Sequence, residues 1–164
     1  MKNFALLLTL GALLAAPAPV WAANAQPAPA FNLTTIAGSS ISLAALSGKP
    51  VYLNFFATWC PPCNDEAPAV AALAKQFAPD GLAVVGIDEE DGSASVAAFA
   101  KKYGFTFPVA LDNSGGVGDA YGVDAIPVSV FIDRSGAVKE IETGELTPAQ
   151  IQAGITSILG SGTA

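Results

Sequence analysis

A buried strand that runs straight into a pair of cysteines leaves few folds open. Val51 to Phe56 is a nearly continuous apolar run of β-branched and aromatic residues, interrupted only by Asn54. Such a run reads as a strand covered on both faces. Trp59-Cys60-Pro61-Pro62-Cys63 comes next, and the apolar, Ala-rich stretch from Ala67 to Phe77 suits a helix ended by Pro79-Asp80-Gly81. Cys60 therefore falls where a strand hands over to a helix. Unpaired N–H groups and the helix dipole favour an anion at that place. A thiolate is such an anion, and a lowered pKa makes a cysteine nucleophilic at neutral pH. With two residues between them, the second sulfur can reach back one turn and resolve a mixed disulfide.

Three other readings of the pair stand beside this one. A structural staple usually closes a longer loop, because a short loop constrains the unfolded chain less. A zinc knuckle needs four ligands, and the chain holds two cysteines and no histidine. A chance pair on a helix has the flanking strand and Trp59 against it. The missing histidine also excludes Cys–His catalysis and imidazole-ligated copper within this chain. No metal and no cofactor beyond the cysteine pair are expected.

With 164 residues, 52% of them hydrophobic and 13% charged, the chain suits one globular domain with a substantial core. Its formal net charge is −7, and its seven Lys and Arg form no cluster beyond Lys101-Lys102. Nucleic acid is not an expected partner.

The N-terminus reads as a secretory signal. Lys2 supplies a positive start, Phe4 to Ala16 an apolar run, and Pro17 and Pro19 break it. Two small-residue cleavage patterns follow, Val20-Trp21-Ala22 and Ala23-Asn24-Ala25. The division is thus 1–25 as signal peptide and 26–164 as the folded domain. An uncleaved membrane anchor is the alternative, but a spanning helix needs ~20 apolar residues and this run stops short. No cysteine follows it, so a lipidated N-terminus is not expected. An exported compartment permits disulfides.

Along the rest of the chain, Asn24 to Ala30 looks like a flexible Ala- and Pro-rich leader. Phe31 to Ile36 and Ile41 to Leu43 alternate apolar and polar across the turn Ala37-Gly38-Ser39-Ser40, as a hairpin does. Leu82 to Ile87 is a second buried strand, and Ser93 to Tyr103 a helix that Ser93 is placed to cap. Phe107 to Leu111 reads as a short extended segment and Gly115 to Tyr121 as one brief helix. Val128 to Ile132 and Ala137 to Ile141 form strands about the turn Asp133-Arg134-Ser135-Gly136. Thr147 caps a last helix, with Pro148 first and Ile151, Ile155, Ile158 and Leu159 along one face. The order after the hairpin is β–α–β–α–β–β–α, an α/β sheet with helices on its faces.

At this point the sequence resembles a known family. Trp-Cys-x-x-Cys after an apolar strand is the thioredoxin signature. The longer stretch Asn54-Phe55-Phe56-Ala57-Thr58-Trp59-Cys60-Pro61-Pro62-Cys63, with Glu66 and Pro68 after it, is similar to the TlpA/ResA/CcmG branch. The resemblance spans roughly Phe31 to Leu159. It implies a thioredoxin-like fold, a central mixed sheet flanked by helices, with an N-terminal β-hairpin extension. Members are bacterial exported or membrane-tethered proteins, generally reductants serving cytochrome c or oxidase assembly. The resemblance places a cis-proline at Ile126-Pro127, where Ile126 would offer backbone groups to an extended substrate peptide. It makes Pro68 a kink in the active-site helix. Asn54 stands where cytoplasmic thioredoxins carry a buried Asp, and Asn cannot take a proton. Related exported proteins use a Glu after the next strand, which makes Glu89 the candidate proton carrier, with Glu90 as second choice. The opposing reading is that Asp88-Glu89-Glu90-Asp91 is simply a solvated loop.

The resemblance thus implies a disulfide reductase. Cys60 attacks, Cys63 resolves, and Trp59, Pro61, Pro62, Ile126 and Pro127 shape the substrate surface. Both prolines lack an N–H, which points to a weakly stabilised Cys60 thiolate and a reducing couple. The expected partners are disulfide-containing client proteins and a membrane thiol donor, the expected location is periplasmic, and the expected state is a monomer. An oxidant or isomerase keeps the chemistry and reverses it. A copper-handling assembly chaperone is a further alternative, although relatives of that kind use a wider Cys spacing and a His. A peroxidase would need more of its Pro-rich loop than Thr58 alone provides.

Overall fold

The computed structural model describes residues 26–160. The expected signal peptide, its cleavage patterns and the last four residues lie outside the described residues. Among the described residues, no helix is long and apolar enough to cross a membrane.

Among the described residues, eight strands form one mixed sheet. In chain order they are β1 (Gln26–Pro27), β2 (Asn32–Thr35), β3 (Ser40–Ser42), β4 (Val51–Phe56), β5 (Ala83–Asp88), β6 (Val109–Leu111), β7 (Val128–Ile132) and β8 (Ala137–Thr143). They lie in the order β1-β8-β7-β4-β5-β6-β2-β3. β4 sits at the centre, parallel to β5 and antiparallel to β7. The helices are α1 (Pro61–Phe77), α2 (Ser93–Tyr103), α3 (Gly116–Tyr121) and α4 (Pro148–Leu159). This is the expected thioredoxin-like α/β fold, with the N-terminal hairpin present as β2 and β3.

The pleat of β4 explains why its sequence does not alternate. Val51, Leu53 and Phe55 face one core with Val85, Ile87, Val130 and Tyr121. Tyr52 faces the opposite core, against Val70 and Leu73 of α1 and Ile151 and Ile155 of α4. Phe56, on that second face, packs with Cys60, Cys63, Val96 and Phe99. All six residues of β4 are buried, and the polar atoms among its side chains find partners inside the protein: Tyr52 Oη lies 2.9 Å from Ser129 Oγ and Asn54 Nδ2 donates to Glu66 Oε1 at 2.7 Å. On α4, Ile151, Ile155 and Ile158 are fully buried, worth about 2 kcal/mol each. Gly154 lies so close to the Phe131 ring that a methyl group would not fit between them.

Four local expectations change. The helix after the cysteines begins at Pro61 rather than Ala67, because Pro is well suited to a first helical turn and Cys60 caps it. It runs on through Pro68. α2 is capped by Gly92, and Ser93 is already helical with no side-chain cap bond. Gln26–Pro27, expected as part of a flexible leader, pairs with Val138 and Ala137, and Tyr121 Oη donates to Pro29 O at 2.7 Å. Leu43 opens a short 3-10 turn (Leu43–Leu46) instead of ending the hairpin. The cap of α4 is as expected, and Gln150 completes a capping box with Thr147.

Candidate active site

β4 ends at Phe56, and the turn Ala57-Thr58-Trp59 delivers Cys60 to the N-cap of α1. Cys60 and Cys63 are joined by a disulfide with their Cα atoms 5.3 Å apart. Both are nearly inaccessible, at 3% and 2% exposure. The Cys63 N–H donates to Cys60 Sγ at 3.3 Å. Pro61 and Pro62, in between, have no N–H to offer. One backbone donor therefore faces the sulfur where an ordinary helix start presents several.

The second wall comes from the loop before β7. Ile126–Pro127 is cis, as the resemblance implied, and Ile126 O lies 3.8 Å from Cys60 Sγ. Pro127 O accepts the Gly144 N–H at 2.8 Å, which ties this loop to the end of β8. Trp59 stands out beside the cysteines with 63% of its surface exposed. Cys60, Cys63, Pro61, Pro62, Trp59, Ile126 and Pro127 thus belong to one end of the sheet.

Glu89 is placed differently. β5 lies parallel to β4 with Asp88 beside Phe56. By strand alternation Asp88, not Glu89, shares the face that holds Phe56 and the cysteines. Glu89 instead packs over Gly118 of α3, where an added Cβ would come within 2.6 Å of Glu89 Oε2. Burial, with Asp112 and Asp88 nearby, pushes the Glu89 carboxyl up to about 7. Burial also pushes Asp88 up to about 7, partly offset by the Asp91 N–H it accepts. Among the described residues, Asp88 Oδ2 and Glu89 Oε1 are buried without a hydrogen-bond partner.

Sequence reasoning quoted Glu66 only as a motif member and missed its setting. It sits in the buried stripe Cys63, Glu66, Ala67, Val70, Leu73, Ala74 of α1, one turn from Cys63 and on the same face. Asn54 Nδ2 donates to Glu66 Oε1 at 2.7 Å and Leu146 N donates to Oε2 at 3.1 Å. Burial raises its pKa, while those two bonds pull it back down. The available signal was a charged residue at a core position of an otherwise apolar stripe. Among the described residues, no group of three or more His, Cys, Asp or Glu side chains is placed to hold a metal ion.

The AhpC/TSA family matches residues 25–141. The thiol–disulfide oxidoreductase ResA of Bacillus thuringiensis (strain Al Hakam) is 37% identical over 133 residues, covering 81% of this chain and 77% of that protein. The thioredoxin-like protein YneN of Bacillus subtilis (strain 168) is 40% identical over 130 residues, covering 77% and 75%. Among solved structures, a thiol:disulfide interchange protein of the thioredoxin family from Chlorobium tepidum TLS superposes with a TM-score of 0.78 at 33% identity, covering 84% of this chain and 99% of that one. A secreted Mycobacterium tuberculosis disulfide oxidoreductase homologous to Escherichia coli DsbE gives 0.71 at 28% identity, covering 77% and 95%. With a redox-capable cysteine pair at the head of α1, these likenesses converge: the chain belongs to the AhpC/TSA family and is an enzyme, a thiol–disulfide oxidoreductase of the thioredoxin-like fold.

Proposed function

We propose that the Cys60-Pro61-Pro62-Cys63 pair reduces disulfides in exported client proteins. The observation that carries this reading is the Cys60 sulfur at the head of α1, facing Ile126 O at 3.8 Å with a single backbone donor, Cys63 N, at 3.3 Å. The Cys60 thiolate attacks one sulfur of a client disulfide; the S–S bond breaks and the other client sulfur leaves as a thiolate. Cys63 then attacks Cys60, closing the Cys60–Cys63 disulfide and releasing the second client thiol. Two electrons pass to the client, and a membrane thiol donor returns them to the pair. Exposed Trp59 and the Ile126–Pro127 backbone receive the client segment, with Pro61 and Pro62 forming the floor beside them.

Cys63 must lose a proton to resolve the intermediate, and a buried carboxyl takes it. Glu66 stands on Cys63's own helical face; Glu89 has the pKa for this, about 7, but lies off the cysteine face, over Gly118. The pH profile of resolution separates them: Glu66→Gln or Glu89→Gln, whichever flattens the limb near neutrality, identifies the carrier. If neither does, the proton goes to water.

The same reading takes residues 1–25 as a cleaved signal peptide, 26–164 as the mature domain and the periplasm as its location. Apocytochrome c or oxidase assembly factors are the clients it favours. N-terminal sequencing of the exported protein tests the cleavage. The direction of electron flow is tested by the equilibrium reduction potential, followed through tryptophan fluorescence. A value near or below about −220 mV marks a reductant, whereas one near about −120 mV marks an oxidant. A Cys60 pKa below about 5 would also count against a reductant.

A further inference from the structure

The turn that delivers Cys60 is gripped from two sides by side chains that the thiol chemistry does not use. From the β5–α2 connection, Asp91 Oδ2 accepts the Thr58 N–H at 2.6 Å, across 33 residues of sequence. From α1, Asn64 Nδ2 donates to Thr58 O at 3.0 Å and to Cys60 O at 2.9 Å. The Asn64 amide is itself oriented, because Tyr103 Oη donates to Asn64 Oδ1 at 2.7 Å. That leaves the NH₂ group for the two carbonyls. Asp91 is held in turn, since its N–H donates to Asp88 Oδ1 at 2.8 Å and Asp88 is 1% exposed. Both backbone polar groups of Thr58 therefore end on side chains. Trp59 cannot anchor the turn by packing, with 63% of its surface in solvent.

We propose that Asp91 is a positioning residue for Cys60: by accepting the Thr58 N–H opposite the Asn64 clamp, it holds the Thr58–Cys60 turn so that Cys60 Sγ meets an incoming disulfide in line. Thiol–disulfide exchange is sensitive to the direction of attack on the sulfur, and small misplacements of a reacting group are costly in rate. The inference rests on Cys60 as the attacking thiol and is independent of the direction of electron flow in the cell.

The test is the second-order rate of the reduced protein with oxidised glutathione, measured at a pH where Cys60 is fully ionised and at a temperature where every variant is folded. Cys60 attacks one glutathione sulfur, the S–S bond breaks and a glutathione thiolate leaves. Asp91→Ala is expected to slow this step about tenfold. Asp91→Asn, whose side-chain oxygen still accepts from Thr58, is expected to restore the rate to within about twofold. Asp91→Ala reacting as fast as the wild type overturns the positioning role. So do Asp91→Ala and Asp91→Asn slowed alike, since charge and not the hydrogen bond would then be at work. A wild type that does not react at all overturns the thiol–disulfide reading instead. If Asp91→Ala does not fold, Tyr103→Phe combined with Lys102→Ala provides the second arm by freeing Asn64 Oδ1 from both of its donors, Tyr103 Oη at 2.7 Å and Lys102 Nζ at 3.5 Å. It should slow the reaction about threefold, and a wild-type rate there overturns the clamp.

Discussion

Glu66 and the Asp88–Glu89 pair are carboxyls buried near the same redox turn, and in both places loss of water is the largest influence raising the pKa. They differ in what replaces the water. Glu66 has a donor on each oxygen, Asn54 Nδ2 on one and Leu146 N on the other. It links β4, α1 and the segment leading to α4. Asp88 and Glu89 each keep one buried oxygen without a partner among the described residues, and their neighbours are other acids. Burial alone does not say whether a carboxyl serves structure or binds protons. A fully paired one fixes elements to each other, whereas a half-paired one is held together best when it is neutral.

The largest break in this contrast should come from Glu66→Ala. It strands two buried donors, so a loss of about 3 kcal/mol is expected, read as a thermal midpoint lower by roughly 10 °C. Glu66→Gln keeps the shape and should cost less than half of that. The opposite sign is expected at the other site. Asp88 and Glu89 have folded-state pKa values raised from 3.8 and 4.5 to about 7. The folded protein therefore binds protons more tightly than the unfolded chain. Their stabilisation is fully present below the unfolded values and is lost as pH rises through about 7. Midpoints measured between about pH 5 and pH 8 should fall in the wild type. The fall should flatten in the Asp88→Asn/Glu89→Gln double variant, which should also melt about 5 °C higher at the alkaline end. A steeper fall in the double variant would reverse the assignment. The smallest effect should be Gly118→Ala, whose methyl meets Glu89 Oε2. It should cost about 1 kcal/mol and should be relieved when Glu89→Ala is added, a coupling that a double-mutant cycle of denaturant midpoints would measure.

How far the sequence could be read follows the same division between local and distant causes. β4, the cysteine turn and the α4 cap were legible because each is written in neighbouring residues: a fully buried run, a Cys-x-x-Cys, a Thr followed by Pro ahead of an apolar face. The cis bond at Pro127 came from resemblance, not from spacing. β1 was not legible, because Gln26–Pro27 has no strand pattern and pairs only where β8 offers its outer edge. Gly92 stands at the cap of α2 in place of Ser93 and carries no side chain to announce it. The role of Glu66 was hidden for a different reason. Its partners, Asn54 and Leu146, are 12 and 80 residues away. Glu89 came from the resemblance, since its run of four acids by itself reads as a solvated loop, and its packing over Gly118 of α3 is a contact between distant segments.

The two prolines between the cysteines have a consequence for how this enzyme can be watched. Neither carries an amide proton, so positions 61 and 62 give no signal in amide-detected nuclear magnetic resonance and no hydrogen-exchange readout. The Cys63 amide, whose N–H points at Cys60 Sγ, is the first backbone reporter inside the redox loop. A change from disulfide to thiolate alters the acceptor of that one proton. Its chemical shift should follow the oxidation state of the whole pair, in a living extract as well as in a cuvette.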